Sequence, residues 1–384
     1  MKKNKKIILG LCTIMGLAGF LSGCGNASNE IPPTPLQTYT PLLKAKYLYS
    51  RDIGNGNGER LDVTLTPAYF GDNIYTTSFD GYVGAIDAKD GKTRWFYHAD
   101  DNISAPAAVD NDIVVIGTLH GQLVAINSNS GHMLWQAKLP GSLFSKPLIN
   151  NGIIYVQTHD GSLSAYNEKD GTELWSNAIT IPDLMLTGNS SPVIYKNLVI
   201  VGTSSGELWG FKADDGTRQW DTPVAISSSS SPAGRMVDIV STPLVDNDTL
   251  YVATFQGNIA SFNTDTGQLN WQKKASVFNN FAIGEGLFFV SDSEGRLIAY
   301  DKENGKINWQ SDALIGRKTS APLYVDNKVI VGDYDGFVHI FNAKTGQYLD
   351  RIDIGGDGIK AQPVYVAGKV FVQTNGGSLA AIQL

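Results

Sequence analysis

Cysteine is nearly absent from these 384 residues: there are two, Cys12 and Cys24, and none follows residue 24. The chain beyond that point can form no internal disulfide and no thiolate metal site, so packing alone must hold it together. Histidine is scarce too, at five (His98, His120, His132, His159, His339), scattered without metal-ligand spacing. No apolar run of 18 residues follows the N-terminal segment, which excludes a membrane-spanning helix there. Excess positive charge is also missing. Residues 1–23 contain four lysines and no acid, leaving 26 basic and 37 acidic residues and a net of −11. A nucleic-acid surface needs clustered Lys and Arg, and none is present. There is no GxSxG elbow, and no acid pair stands out from the acids of turns.

What is present is a repeated sentence. Segments 81–95 (GYVGAIDAKDGKTRW), 121–135 (GQLVAINSNSGHMLW) and 160–175 (DGSLSAYNEKDGTELW) share one pattern with 206–220, 257–271 and 295–309, each ending on Trp. A seventh copy, 336–350, has Asp350 in place of Trp, and an eighth begins at Gly377 and meets the end of the chain. The unit 147–175 divides into PLINN, GIIYVQT, SLSAYN and TELW separated by Gly, Asn and Asp turns, which reads as four short strands. Proline opens seven of the first strands (Pro67, Pro106, Pro147, Pro192, Pro243, Pro322, Pro363), where it costs no ladder hydrogen bond. Four strands repeated about every 40 residues predict an all-β, eight-bladed β-propeller of four-stranded antiparallel blades. The last unit lacks a fourth strand. KYLYSRDI (46–53) precedes the first unit and supplies it, closing the ring without a long exposed edge. The Trp side chains are expected to fill the wedge between blades, and the Asp-Gly pairs to make hairpins.

The predicted organisation is therefore a signal peptide at 1–23, a tether at 24–45 and the propeller at 46–384. Lys2, Lys3, Lys5 and Lys6 precede an apolar stretch that ends in Leu21-Ser22-Gly23-Cys24, a bacterial lipobox with lipid expected on Cys24. Gly25 after the cysteine matches the pattern for transfer to the outer membrane. The segment 26–41 (NASNEIPPTPLQTYTP) is polar and Pro-rich, and as an extended tether it would reach roughly 50 Å. The glycines at 54–58 precede no helix, so they are read as a flexible loop rather than a nucleotide site. Segments starting at Asp87 and Asn263 resemble calcium loops, but His98 and Lys274 stand where the bidentate Glu belongs. No metal and no cofactor is expected.

Function in a repeat is sought where the period fails. The Gly-to-Gly spacings are 40, 40, 45, 51, 38, 41 and 41, so the two long units are neighbours. Their insertions, 181–191 (IPDLMLTGNSS) and 226–241 (ISSSSSPAGRMVDIVS), both fall between a Trp and the next opening Pro, and should sit side by side on one face. Leu184, Met185 and Leu186 make an apolar patch in the first. Arg235, Met236 and Asp238 are the candidates in the second, with serines 227–231 read as mobile spacer.

A lipobox, a Pro-containing tether and eight blades, six of them closed by Trp, together resemble the BamB family, lipoprotein subunits of the outer-membrane β-barrel assembly (BAM) machinery. PDLMLTG followed by Ser191-Pro192, and RMVD before Ser241-Thr242-Pro243, are the more telling matches. The resemblance implies a non-catalytic scaffold at the periplasmic face of the outer membrane. It would dock on the POTRA domains of BamA, and through it meet the other BAM subunits and unfolded outer-membrane proteins. The implied contacts are Leu184, Leu186 and Asp238. Thr187 and Val240 depart from the family's Arg and second acid, and carry no role over. Two other classes share the repeat. A pyrroloquinoline-quinone dehydrogenase needs adjacent cysteines and a calcium site that are lacking here, whereas a ligand-binding propeller would use its channel.

Overall fold

The computed structural model describes residues 31–384 apart from 59, 61, 189 and 228. The signal segment and Cys24 lie outside the described residues. Pro32–Leu384 form one unit of 32 strands in eight four-stranded antiparallel sheets, the propeller that the repeat predicts. Blade 1 spans 68–98, blade 2 108–138, blade 3 148–178 and blade 4 193–223. Blades 5, 6 and 7 span 244–275, 282–311 and 323–353. Blade 8 takes three strands from 364–383, and Lys46–Asp52 pairs antiparallel with Ser378–Gln383 as its fourth. Among the described residues, the helical content is one 3-10 turn, Ala233–Arg235.

Burial explains the strand types. Each first strand has three residues and contacts the first strands of neighbouring blades, so these line the centre. Second and third strands lie between blades and are buried on both faces, as in Ile113–Gly117 and Ser162–Asn167. This is why they read as near-continuous apolar runs. Fourth strands form the rim and bury chiefly their Trp, as Thr93–His98 buries Trp95.

Pairing of third with fourth strands shifts register at one recurring place, such as Ala85/Ile86, Ala125/Ile126 and Ala299/Tyr300. The shift falls just before the Trp, and a bulge there re-aims it. The indole crosses to the turn of the following blade and packs on its glycine: Trp95 on Gly131, Trp135 on Gly171, Trp271 on Gly305. Its Nε1 donates to a carbonyl of that turn in five blades: Trp95 to Ser128 (2.8 Å), Trp135 to Glu168 (2.8 Å), Trp175 to Ala213 (3.0 Å), Trp271 to Lys302 (2.9 Å) and Trp309 to Ala343 (2.7 Å).

Two positions complete this ring in ways the repeat does not reveal. In blade 8, Tyr49 takes the place of Trp, packing against Gly91 and donating to the Ala88 carbonyl at 3.4 Å. Blade 7 has no such partner, because blade 8 has no turn between its third and fourth strands: these are the two ends of the propeller chain. Asp350 stands there instead and receives Tyr39 Oη (3.0 Å) and the Ala45 amide (3.0 Å). The segment expected as tether is thus bound from Thr34 to Ala45, first to the connection between blades 6 and 7 and then to blade 7. Thr34 donates twice to the Ile315 carbonyl, Leu42 N donates to Leu349 O, and Tyr39 lies edge-on to Tyr348. Its free length is shorter than its Pro-rich composition implies. The glycine loop 54–58 is likewise held: Asn57 N donates to Asn375 O, and a side chain on Gly56 would come within 2.0 Å of that oxygen.

Candidate docking surface

Antiparallel blades place every connection to the following blade on the same face as the turns between second and third strands. The insertions 181–191 and 226–241 flank blade 4 on this face, as the spacing predicts. The second of these connections is pinned by backbone contacts that recur in the ring. Ile239 N donates to Thr203 O and the Phe255 amide to Asp238 O, as Leu143 N and His159 N do two connections earlier with Thr118 O and Ser142 O. Ile239 plugs against Gly202, where a side chain would meet it at 2.2 Å. Val237, Asp238 and Ile239 are buried, so the end of the second loop belongs to the propeller body.

Asp238 therefore departs from the expectation of a surface contact. Its side chain is fully enclosed, and Oδ1 receives the Leu186 amide at 2.8 Å. It latches the first loop to the second. The other oxygen, Oδ2, has no hydrogen-bond partner among the described residues. Burial pushes the carboxyl up to about 6, against the lowering effect of the Leu186 amide. The structure does bring the other candidates to one surface. Leu184 is exposed, Met185 and Leu186 are half-buried, and Arg235 is exposed with Met236 half-buried beside it. Thr187 is exposed and Val240 half-buried. The serine run is more ordered than a spacer: Ser227 Oγ donates to Gly234 O (2.8 Å), and Gly234 N donates to Ser231 Oγ (3.2 Å). These hydroxyl bonds fold the loop back into the 3-10 turn that carries Arg235.

Sequence reasoning missed three parts of this surface. Ile226 is 82% exposed, the most open large apolar side chain among the described residues. Phe278, also exposed, packs edge-on to Phe255 at 6.2 Å beside the second loop. Between the loops lies a cleft of about 520 Å³ lined by Pro182, Ser205, Glu207, Ile226, Arg235 and Val237, among others. Only the apolar letter of Ile226, directly after the buried Val224 and Ala225, could have signalled it; the cleft arises from contacts distant in sequence. Among the described residues, no group of three His, Cys, Asp or Glu side chains could hold a metal, and no helix is long and apolar enough to cross a membrane. Asp87, at the start of a segment that resembles a calcium loop but reads as a turn, receives the Lys89 amide and Arg94.

Comparison with known proteins places this architecture. The sequence profile described as "Outer membrane protein assembly factor BamB" matches residues 65–311. The outer membrane protein assembly factor BamB of Pseudomonas aeruginosa is 39% identical over 369 residues, covering 96% of this chain and 97% of the relative. Its counterpart in Francisella tularensis is 39% identical over 369 residues, covering 94% of this chain and 81% of the relative. Among solved structures, BamB from Moraxella catarrhalis superposes with a TM-score of 0.81 at 24% identity, over 89% of this chain and all of that one. A europium-containing methanol dehydrogenase superposes at 0.74 and 16% identity, over 88% of this chain and 93% of that one, which is a likeness of fold.

Proposed function

The chain belongs to the BamB family of outer membrane protein assembly factors, and we propose that it serves as a non-catalytic scaffold docking on the POTRA domains of BamA through its two long loops. Through BamA it would join the other BAM subunits and assist unfolded outer-membrane proteins. The observation that carries this reading is the pair of latched insertions, which hold Leu184, Met185, Leu186, Arg235 and Met236 on one face. Apolar side chains held in water by a rigid frame have their ordering entropy lost in advance, which favours association. Asp238 acts in this reading through Leu186, by fixing the loop, rather than by touching the partner. With Thr187 and Val240 in place of an Arg and an acid, the contact is mainly apolar.

A lipid anchor on Cys24 would keep the propeller at the periplasmic face of the outer membrane. The docked segment leaves the propeller at Thr34, bonded to Ile315 in a connection on the same face as the docking loops. The ten residues 24–33 would then span about 30 Å as an extended tether. The test is co-purification of BamA with the tagged, detergent-extracted protein, beside a Leu184→Ala/Leu186→Ala double variant. Retention by the wild type and loss from the folded variant is the expected result. BamA absent from the wild type refutes the reading, and BamA retained by both moves the interface elsewhere.

A further inference from the structure

We propose that the cleft between the two loops receives one apolar side chain and an adjacent carboxylate, presented together on an extended segment of the docked partner, and that Arg235 selects the carboxylate. This rests on the docking reading above and adds to it a pocket and a chemistry. The cleft, about 520 Å³, lies within the roughly 300–1,000 Å³ range of sites that enclose a ligand group. Pro182 from the first loop and Ile226 and Val237 from the second make its apolar walls, and Ser205 borders it from the turn of blade 4.

Its two charges are not equivalent. Glu207 is already engaged, receiving Trp209 Nε1 at 3.0 Å and Ser205 Oγ at 3.2 Å. Arg235 has no ion-pair partner among the described residues. Other arginines on this acidic chain are taken up: Arg296 meets Asp292, Glu294 and Asp312, and Arg317 meets Asp333 and Asp335. A free guanidinium at the edge of an apolar cleft matches a carboxylate in its planar fork, and such Arg residues are frequent anchors of interfaces. Ile226, 82% exposed on the cleft wall, argues for a macromolecular occupant. A small carboxylate could pair with Arg235 but would leave that side chain in water, whereas a partner segment covers both.

The experiment measures binding of the BamA POTRA segment to the full chain in detergent, as wild type and as Ile226→Asp, Ser205→Trp, Arg235→Glu and Arg235→Lys. All three positions present exposed side chains, so folding is expected to survive and is checked by thermal melting. The Leu184→Ala/Leu186→Ala variant serves as reference. Ile226→Asp, Ser205→Trp and Arg235→Glu should each weaken binding about tenfold or more. Arg235→Glu should also flatten the salt dependence of Kd, while Arg235→Lys retains part of the affinity. Ser205→Trp leaves the charges untouched, so its effect reports occupied space. If the leucine variant loses binding while the cleft variants bind like wild type, docking stands and the cleft proposal falls. Absence of wild-type binding refutes the docking reading itself. If instead the wild type self-associates and Arg235→Glu abolishes that alone, the occupant is a second copy and the proposal is overturned.

Discussion

The repeat is broken in two places, and the structure treats them in opposite ways. At blades 7 and 8, where the ring closes, the missing Trp is replaced from within. Asp350 binds the incoming segment through Tyr39 and Ala45, and Tyr49 takes the Trp role in blade 8. One buried polar cluster there is satisfied: Asp333 receives Arg317 Nε at 2.7 Å and His339 Nε2 at 2.8 Å, and His339 Nδ1 meets Tyr348 Oη at 2.6 Å. At blades 4 and 5 the groups are left open. Asp238 Oδ2 has no partner among the described residues, Arg235 is unpaired, and Ile226 and Leu184 stand in solvent. Even the Trp contact is loosened there, since Trp220 Nε1 is without a hydrogen bond among the described residues. Gly210 is the reason: a Cβ at that position would lie 2.5 Å from Trp220 Cε2, so its absence lets the indole settle over its own blade. In the proposed reading, the departure at blades 7 and 8 serves closure and the one at blades 4 and 5 serves docking.

The comparison can be broken at its closed end first. Asp333→Ala removes the hub of a buried ion pair, leaving Arg317 with Asp335 alone and His339 without its carboxylate, which should cost about 3 kcal/mol in a denaturant titration. At the open end, the sign reverses. The Asp238 carboxyl titrates higher in the folded chain, near 6, than when unfolded. The stability this contributes is complete below the unfolded value and is lost as pH rises through about 6. Asp238→Asn, which cannot ionise and can still accept from Leu186, should therefore change less in stability between pH 4 and pH 7.5 than wild type. The difference, on the order of 2–3 kcal/mol, is read by paired melts. A third experiment compares tryptophans. Trp271→Phe gives up a hydrogen bond to Lys302 and Trp220→Phe gives up none, so the former should destabilise by about 1 kcal/mol more. The smallest effect belongs to Ile226→Asp, which should leave the melting free energy within about 0.5 kcal/mol while weakening partner binding.

Much of this was legible in the letters because each blade contacts only its neighbours. Glycines at turns and apolar second strands are local signals repeated eight times, and the Trp spacing six times, so register and blade count follow without long-range knowledge. The two insertions were legible as arithmetic, and Leu184 and Arg235 as letters out of place. The burial of Asp238 was not legible in the letters. Nothing adjacent in the chain discloses that its carboxylate turns inward to an amide 52 residues away. Tyr49 was overlooked because it sits outside the repeat in sequence and inside it only in space.

Sequence alone therefore determined the propeller, its eight blades, the closing strand and the side-by-side placement of the long loops, since short-range periodicity dictates strand length, turn and burial. Tertiary structure decided which deviations are filled. Ring closure brings residues some 300 positions apart into contact, laying Tyr39 on blade 7, and the same closure leaves the cleft beside Arg235 without an internal occupant. Those outcomes depend on which surfaces the closed ring brings together, and no local pattern of residues encodes that distance.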